Sequence, residues 1–442
     1  MKPIPVSHEM IMFPDIPDLP PMAVQFGACR KSSDGYFFDI VDFSCKSIDR
    51  WSIASVGIEH AEKLLRRTLD PGKAPGNMDF MVKEASSVHV LQVSPQGKLF
   101  VSRGNFLNGT SFFMIDTSSR EGFVMMEDDG DDPMFYSSTG GFSPDYSRWY
   151  FVRWPLAHTV AILNGISQVA TCEIGTVELD TGKVEIVHTL DIDDRIHQIS
   201  VSPDNRFLVF TSFKSDMRID YPRASMAENP EAYRQCHNAG IIPKTVITFD
   251  IETGRHWETD VPVPVSAHME FDLLDPSVFY VSGHNFSINH TPEVIIEGPG
   301  AVIKMQIQGN RTVVVDQFAP DDLFRVSQHV PFIWQGKTII AVTNTPNKLD
   351  LVDGNTMELW RREELFPFEA LDFSVMGSVV SPMPEEAFFS INPAADGKYI
   401  VLESSRCFHI YDVEAAVFLD TTMDRFLLEG AVGTGHTRVV GR

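Results

Sequence analysis

Histidine is the residue type in this chain whose placement could do chemistry. His89, His197, His268 and His329 each open an apolar stretch that runs into a Pro, Asp or Gly turn, and His436 opens a last one, His436-Thr-Arg-Val-Val. Read as one position of a repeat, these are five histidines out of seven, with Ser138 and Ala387 in the other two units, although the chain holds only 14 histidines. Ser, Thr or Asn would serve as well if the position only lined a channel, so five histidines there point to ligation. Neutral imidazole is the commonest metal ligand, and three or four converging rings suit Fe(II), Mn(II), Zn or Cu(II). His197, His268 and His329 form the core of the expected ligand set, with His436 or His89 as the fourth.

Such a ring needs elements that bring distant residues together, and the repeat supplies them. His89-Val-Leu-Gln-Val-Ser-Pro-Gln-Gly-Lys-Leu-Phe-Val matches His197-Gln-Ile-Ser-Val-Ser-Pro-Asp-Asn-Arg-Phe-Leu-Val. Gly141-Phe-Ser-Pro-Asp-Tyr-Ser-Arg-Trp and Ile391-Asn-Pro-Ala-Ala-Asp-Gly-Lys-Tyr are further copies, and looser ones start at His268 and His329. Each reads as a strand, a turn and a second strand. A second hairpin follows, as in Thr176-Val-Glu-Leu-Asp-Thr-Gly and Thr248-Phe-Asp-Ile-Glu-Thr-Gly. Four strands per unit, with starts at 89, 138, 197, 268, 329 and 387, predict an all-β propeller as one domain over 1–442. A seventh blade is expected where a C-terminal strand, about 434–441, pairs with strands from about 23–55 that include Tyr36-Phe-Phe-Asp and Arg50-Trp-Ser-Ile. An eighth follows only if Gly27-Ala-Cys-Arg begins its own unit. A helix is expected over 58–69, packed on the outside.

In a propeller the connections between second and third strands emerge at the end where the histidines stand. Three of them are long and consecutive, 155–171, 214–243 and 282–300, and are expected to form a dome over the ring. Tyr221, Arg223 and His237 in the second, and His284 and His290 in the third, are the candidate contacts for a partly apolar organic substrate. The acidic run Glu127–Asp132 fits no calcium-loop spacing and reads as solvated. Gly-rich phosphate loops, GxSxG and HExxH are absent.

Composition narrows the partners. Lys and Arg number 36 against 60 Asp and Glu, a net charge of −24, which disfavours nucleic acid and anionic membrane surfaces. Apolar residues at 43% suffice for a packed core, and no run is long enough to span a bilayer. Five scattered cysteines without CxxC and a start without an apolar signal core predict free thiols and a cytoplasmic protein.

The Ser-Pro-Asp-Gly hairpins resemble those of the seven-bladed superfamily that includes TolB-type and lactonase-type propellers. The histidine arrangement resembles that of carotenoid-cleavage-type oxygenases, propellers in which four histidines hold Fe(II) under a dome of loops, with the last ligand near the C-terminus as in Gly433-Thr-Gly-His-Thr. It also resembles oligogalacturonate lyases, in which histidines hold Mn(II) on the axis. These resemblances imply a metal-dependent enzyme with a divalent transition metal, Fe(II) or Mn(II). Its chemistry would be iron-dependent oxidation or a redox-neutral lyase, isomerase or cyclase reaction. A non-enzymatic interaction propeller is the alternative, for which short loops and no convergent histidines would be expected.

Overall fold

The computed structural model describes residues 2–12, 25–32, 35–42, 45–54, 88–94, 97–103, 111–127, 134–137, 140–155, 157–158, 169–192, 196–213, 244–261, 265–284, 294–296, 300–323, 325–345, 347–365, 379–381, 390–394, 396–403, 407–419 and 423–424. They form seven antiparallel sheets arranged as a seven-bladed propeller. Blade 1 runs Gln25–Ser32, Gly35–Asp42, Ser47–Ala54, with Val6–Met12 outermost. Blade 2 runs Val88–Val93, Lys98–Arg103, Ser111–Asp116, Glu121–Glu127, and Lys2–Ile4 adds a fifth strand at its rim. Blade 3 begins with two short pieces, Met134–Tyr136 and Gly141–Phe142, followed by Arg148–Pro155, Ala170–Glu178 and Val184–Ile192. Blade 4 is Ile196–Val201, Phe207–Phe213, Lys244–Asp250, Arg255–Val261; blade 5 is Val265–Phe271, Val278–His284, Ala301–Ile307, Thr312–Phe318. Blade 6 is Arg325–Trp334, Lys337–Thr345, Lys348–Asp353, Leu359–Glu364; blade 7 is Ser390–Pro393, Tyr399–Glu403, Cys407–Asp412, with Val417–Phe418 and Met423–Asp424 outside. First strands of successive blades lie side by side around the axis.

Two turn chemistries explain the repeat. Between strands one and two of blade 4, Ser202 Oγ accepts from the Arg206 and Phe207 amides at 3.0 and 2.8 Å, and Asn205 takes a φ of 59°. Ser94, Ser143 and Ala394 hold the serine's place, with Gly97, Tyr146 and Gly397 at the positive φ. Pro presets the first turn dihedral and the hydroxyl caps the loop, so Ser-Pro recurs. Between strands three and four an aspartate caps the turn: Asp116, Asp250, Asp353 and Asp412 each accept from amides two or three residues on. The residue four positions after each, Arg120, Gly254, Met357 and Ala416, has positive φ and donates its N–H back to the aspartate carbonyl.

Alternate residues of the strands fill the seams. Trp154, Ile174, Leu208, Phe210, Ile247, Met269, Phe279 and Ile303 belong to one buried cluster that spans blades 3 to 5.

The expected outer strands around Tyr36 and Arg50 are strands two and three of blade 1, and Gly27-Ala-Cys-Arg lies in its first strand, so no eighth blade starts there. Blade 1 obtains four strands from residues 6–54. The closing strand at 434–441 and the helix over 58–69 lie outside the described residues. No helix among the described residues is long and apolar enough to cross a membrane.

Candidate functional site

Strand pairing fixes the level of each first-strand histidine. Val93, Val201, Phe271 and Pro331 pair with Leu99, Leu208, Phe279 and Ile340; two residues before these, the carbonyls of Gly97, Arg206, Ser277 and Thr338 each accept from the end of strand three, so the four pairs hold equivalent places. Three residues earlier stand Val90, Gln198, His268 and Gln328; His89 and His197 stand one residue before this place and His329 one residue after it. The histidines expected at one position therefore occupy three adjacent ones. All four first strands also carry a β-bulge at this level, one extra residue between Val88/Val90, Ile196/Ile199, Ser266/His268 and Val326/His329. Bulges re-aim side chains and gather next to functional sites. Ala387 is also displaced: Asn392-Pro393 is still strand in blade 7, and the turn starts at Ala394, so the equivalent places fall at Ser390 and Phe389. Ser138 and His436 lie outside the described residues, and His89 and His197 are described in backbone only.

His329 is the most informative group at this level. It is 0% exposed, and one ring nitrogen, Nε2, lies 3.1 Å from the Tyr280 carbonyl of blade 5. A carbonyl only accepts, so Nε2 carries the proton and Nδ1 the lone pair. That Nδ1 is buried without a hydrogen-bond partner among the described residues. Burial pushes the ring's pKa down to about 4 against the pull of the carbonyl, so the imidazole is neutral at physiological pH.

Its surroundings hold it rigidly. Tyr280 Oη donates to Asp272 at 2.6 Å and to the Gly354 carbonyl at 3.2 Å, and the same carbonyl accepts from Lys304 at 2.7 Å. Thr338 donates to Asp272 at 3.0 Å, which completes a polar seam between blades 5 and 6. Gly354 has to lack a side chain here, because a Cβ would meet Tyr280 Oη at 2.6 Å. At the bulge itself Thr343 Oγ1 accepts from the Gln328 amide at 2.8 Å and donates to its carbonyl at 2.9 Å.

His268 is buried in blade 5, one place before that of His329 in the repeat, and Ser282 is its partner across the ladder. Ser282 Oγ and Thr211 Oγ1, opposite the bulge of blade 4, are buried with no hydrogen-bond partner among the described residues. Unsatisfied buried hydroxyls cost about 1–3 kcal/mol each, so this level presents polar groups that a bound molecule can satisfy. Sequence reading passed over the glutamines beside the histidines. Gln198 exchanges hydrogen bonds with the Met269 backbone at 3.1 and 3.3 Å, and Gln328 Oε1 accepts from Ile391 at 2.7 Å, stitching first strands of neighbouring blades. The signal lay in the reversed dipeptides His197-Gln and Gln328-His.

Two connections meet through a short two-stranded sheet. Residues 285–300 of blade 5 include Val294–Ile296, which pairs with Val379–Ser381 from the connection between blades 6 and 7. Sequence reading had not anticipated that pairing. His158, in the 155–171 connection, is buried. His284 ends a blade 5 strand and pairs with Val265; Tyr221, Arg223, His237 and His290 lie outside the described residues. No group of three or more His, Cys, Asp or Glu able to hold a metal occurs among the described residues.

No family model matches the chain, and no curated protein does. Among solved structures, an oligogalacturonate lyase in complex with manganese is 11% identical, with 94% of this chain and 86% of that one covered and a TM-score of 0.48. TolB from Acinetobacter baumannii is 11% identical over 94% and 82%, with a TM-score of 0.38. A chain of the mitotic checkpoint complex is 9% identical over 76% of each, with a TM-score of 0.47. The architecture is the one that the chain's own sheets define, a seven-bladed β-propeller.

Proposed function

We propose that the chain is a metal-dependent enzyme whose mononuclear centre is held by first-strand histidines, His268 and His329 among them, beneath the long connections. The observation that carries this reading is the state of His329. Its Nε2–H is committed to the Tyr280 carbonyl, while a buried, neutral Nδ1 lone pair has no partner among the described residues. Ligating histidines characteristically donate their second ring N–H to a carbonyl or carboxylate in this way. His89, His197 and His436 would supply the remaining ligands. An all-imidazole donor set suits Fe, Zn or Cu, and Fe(II) is the preferred ion. Bound, the metal would supply either O2 activation or Lewis-acid polarisation of a carbonyl. The protein's own residues do the rest. The seam through Tyr280 and Asp272 fixes the ligand ring, Ser282 and Thr211 offer hydroxyls to a bound molecule, and the long connections would exclude water from a small organic substrate. Tyr221, Arg223, His237, His284 and His290 are the proposed substrate contacts.

Elemental analysis of the purified chain should find about one transition-metal ion on the axis, which His268→Ala and His329→Ala each lose while keeping a β-sheet circular dichroism spectrum. Wild type that turns over substrate without metal would overturn the reading. Nitric oxide needs no known substrate and separates the two chemistries. A nitrosyl signal supports iron-dependent oxidation; a bound metal that gives none supports the redox-neutral reaction.

A further inference from the structure

His188 and His256 face each other across the outer rim of two blades. His188 lies in the outermost strand of blade 3, Val184–Ile192, and His256 in that of blade 4, Arg255–Val261. His188 Nε2 is 3.2 Å from His256 Nδ1, and the ring planes cross at 59°. Phe249 fixes this geometry. It is buried, pairs with His256 across the ladder, and packs its ring 4.9 Å from that of His188. With metal–nitrogen bonds of about 2.0–2.1 Å, two ligands on one ion are about 2.9 Å apart at a right angle and about 3.4 Å at the tetrahedral angle. The observed separation falls between the two.

We propose that His188 and His256 form a two-histidine site for Zn(II) or Cu(II) that staples blade 3 to blade 4, separate from the axial centre. Both rings reach solvent, so water completes the coordination. In the metal-free neutral pair one of the two facing nitrogens carries the shared proton. Metal takes both lone pairs, and that proton moves through solvent to the outer nitrogen of the same ring, with no net release. The net charge of −24 raises the local concentration of divalent cations.

Cu(II) titration of the full chain at neutral pH, read by equilibrium dialysis and electron paramagnetic resonance, tests the assignment in wild type, His188→Gln, His256→Gln and His329→Ala. Wild type and His329→Ala should bind an ion with two nitrogen ligands, and Zn(II) should raise their melting temperatures. Loss of outer-shell partners alone weakens metal sites by about 10–100-fold, so each Gln variant should weaken this one at least that much and lose the thermal shift. Unchanged affinity in His256→Gln, or a wild-type spectrum with a single nitrogen, overturns the proposal. So does loss of the ion in His329→Ala, which would assign it to the axis.

Discussion

Tyr280 serves two ends of one seam: its carbonyl orients His329, and its hydroxyl ties Asp272 to the turn at Gly354. Tyr280→Phe separates these roles. The carbonyl stays, while Asp272 loses a buried donor at a cost of about 1–3 kcal/mol. A lower urea midpoint with unchanged metal content is the expected result, and loss of metal would show that the hydroxyl acts on the site directly. Arg362 presents a harsher case. It grips the fully buried Asp350 through Nε and Nη2 and bonds Asp322 through Nη1, and Lys348 adds a contact to Asp322 at 3.0 Å. Arg362→Leu strands a buried carboxylate and should cost about 3–5 kcal/mol by denaturant unfolding. Asp322 also gives a pH dependence. Burial raises its pKa, but the hydrogen bonds from Arg362 and Lys348 prevail and leave it below the usual 3.8. The folded state thus binds the proton more weakly than the unfolded one. Its contribution is present above pH 3.8 and is lost as pH falls through the lower folded value. Its side chain is 42% exposed, so solvent screens the effect, and Asp322→Asn should flatten the acid limb of the stability curve only slightly.

The strand and its turns are the elements that the sequence announces most plainly. Ser94-Pro, Ser143-Pro and Ser202-Pro mark the first hairpins because a capping hydroxyl and a preset dihedral must recur wherever that loop does. Asp250 and Asp412 mark the second for the same kind of reason. The level of the histidines was not legible. Blades 5 and 6 turn through Asp272 and through Gln335-Gly336 in place of Ser-Pro, so counting from the turn misplaces His268 by one residue and His329 by two against His89 and His197. A bulge leaves no mark in composition either, because it is defined by the partner strand. In blade 6 the buried backbone groups that it takes out of the ladder are met by the Thr343 hydroxyl. Thr343→Val keeps the shape and orphans the Gln328 N–H and C=O, with an expected loss of about 1–3 kcal/mol. If the bulge aims His329, metal affinity should fall along with stability; stability falling alone would assign Thr343 to packing.

At the scale of the whole molecule, one short segment seals two blades. Lys2–Ile4 pairs with residues 122–124 at the rim of blade 2, and Val6–Met12 pairs with residues 47–53 at the rim of blade 1. His8 anchors it by packing its ring, tilted by 35°, on the buried Trp51, centroids 4.2 Å apart, and by bonding Asp49 at 3.0 Å. Gly122 makes room for it, since a Cβ there would run into the Val6 side chain and stand 2.9 Å from that of Ile4. Gly122→Val should therefore unseat the segment from blade 2, and deletion of residues 2–12 should remove it from both. Each change exposes unpaired backbone groups along a strand edge. Once the segment is gone, the side chain introduced by Gly122→Val has nothing to strike, so the two losses should not add: the double variant should melt with the deletion alone. Hydrogen exchange should quicken in 121–127 for Gly122→Val, and in both 47–53 and 121–127 for the deletion. Additive losses in melting temperature would show that Gly122 matters to blade 2 for a reason other than the segment laid across it.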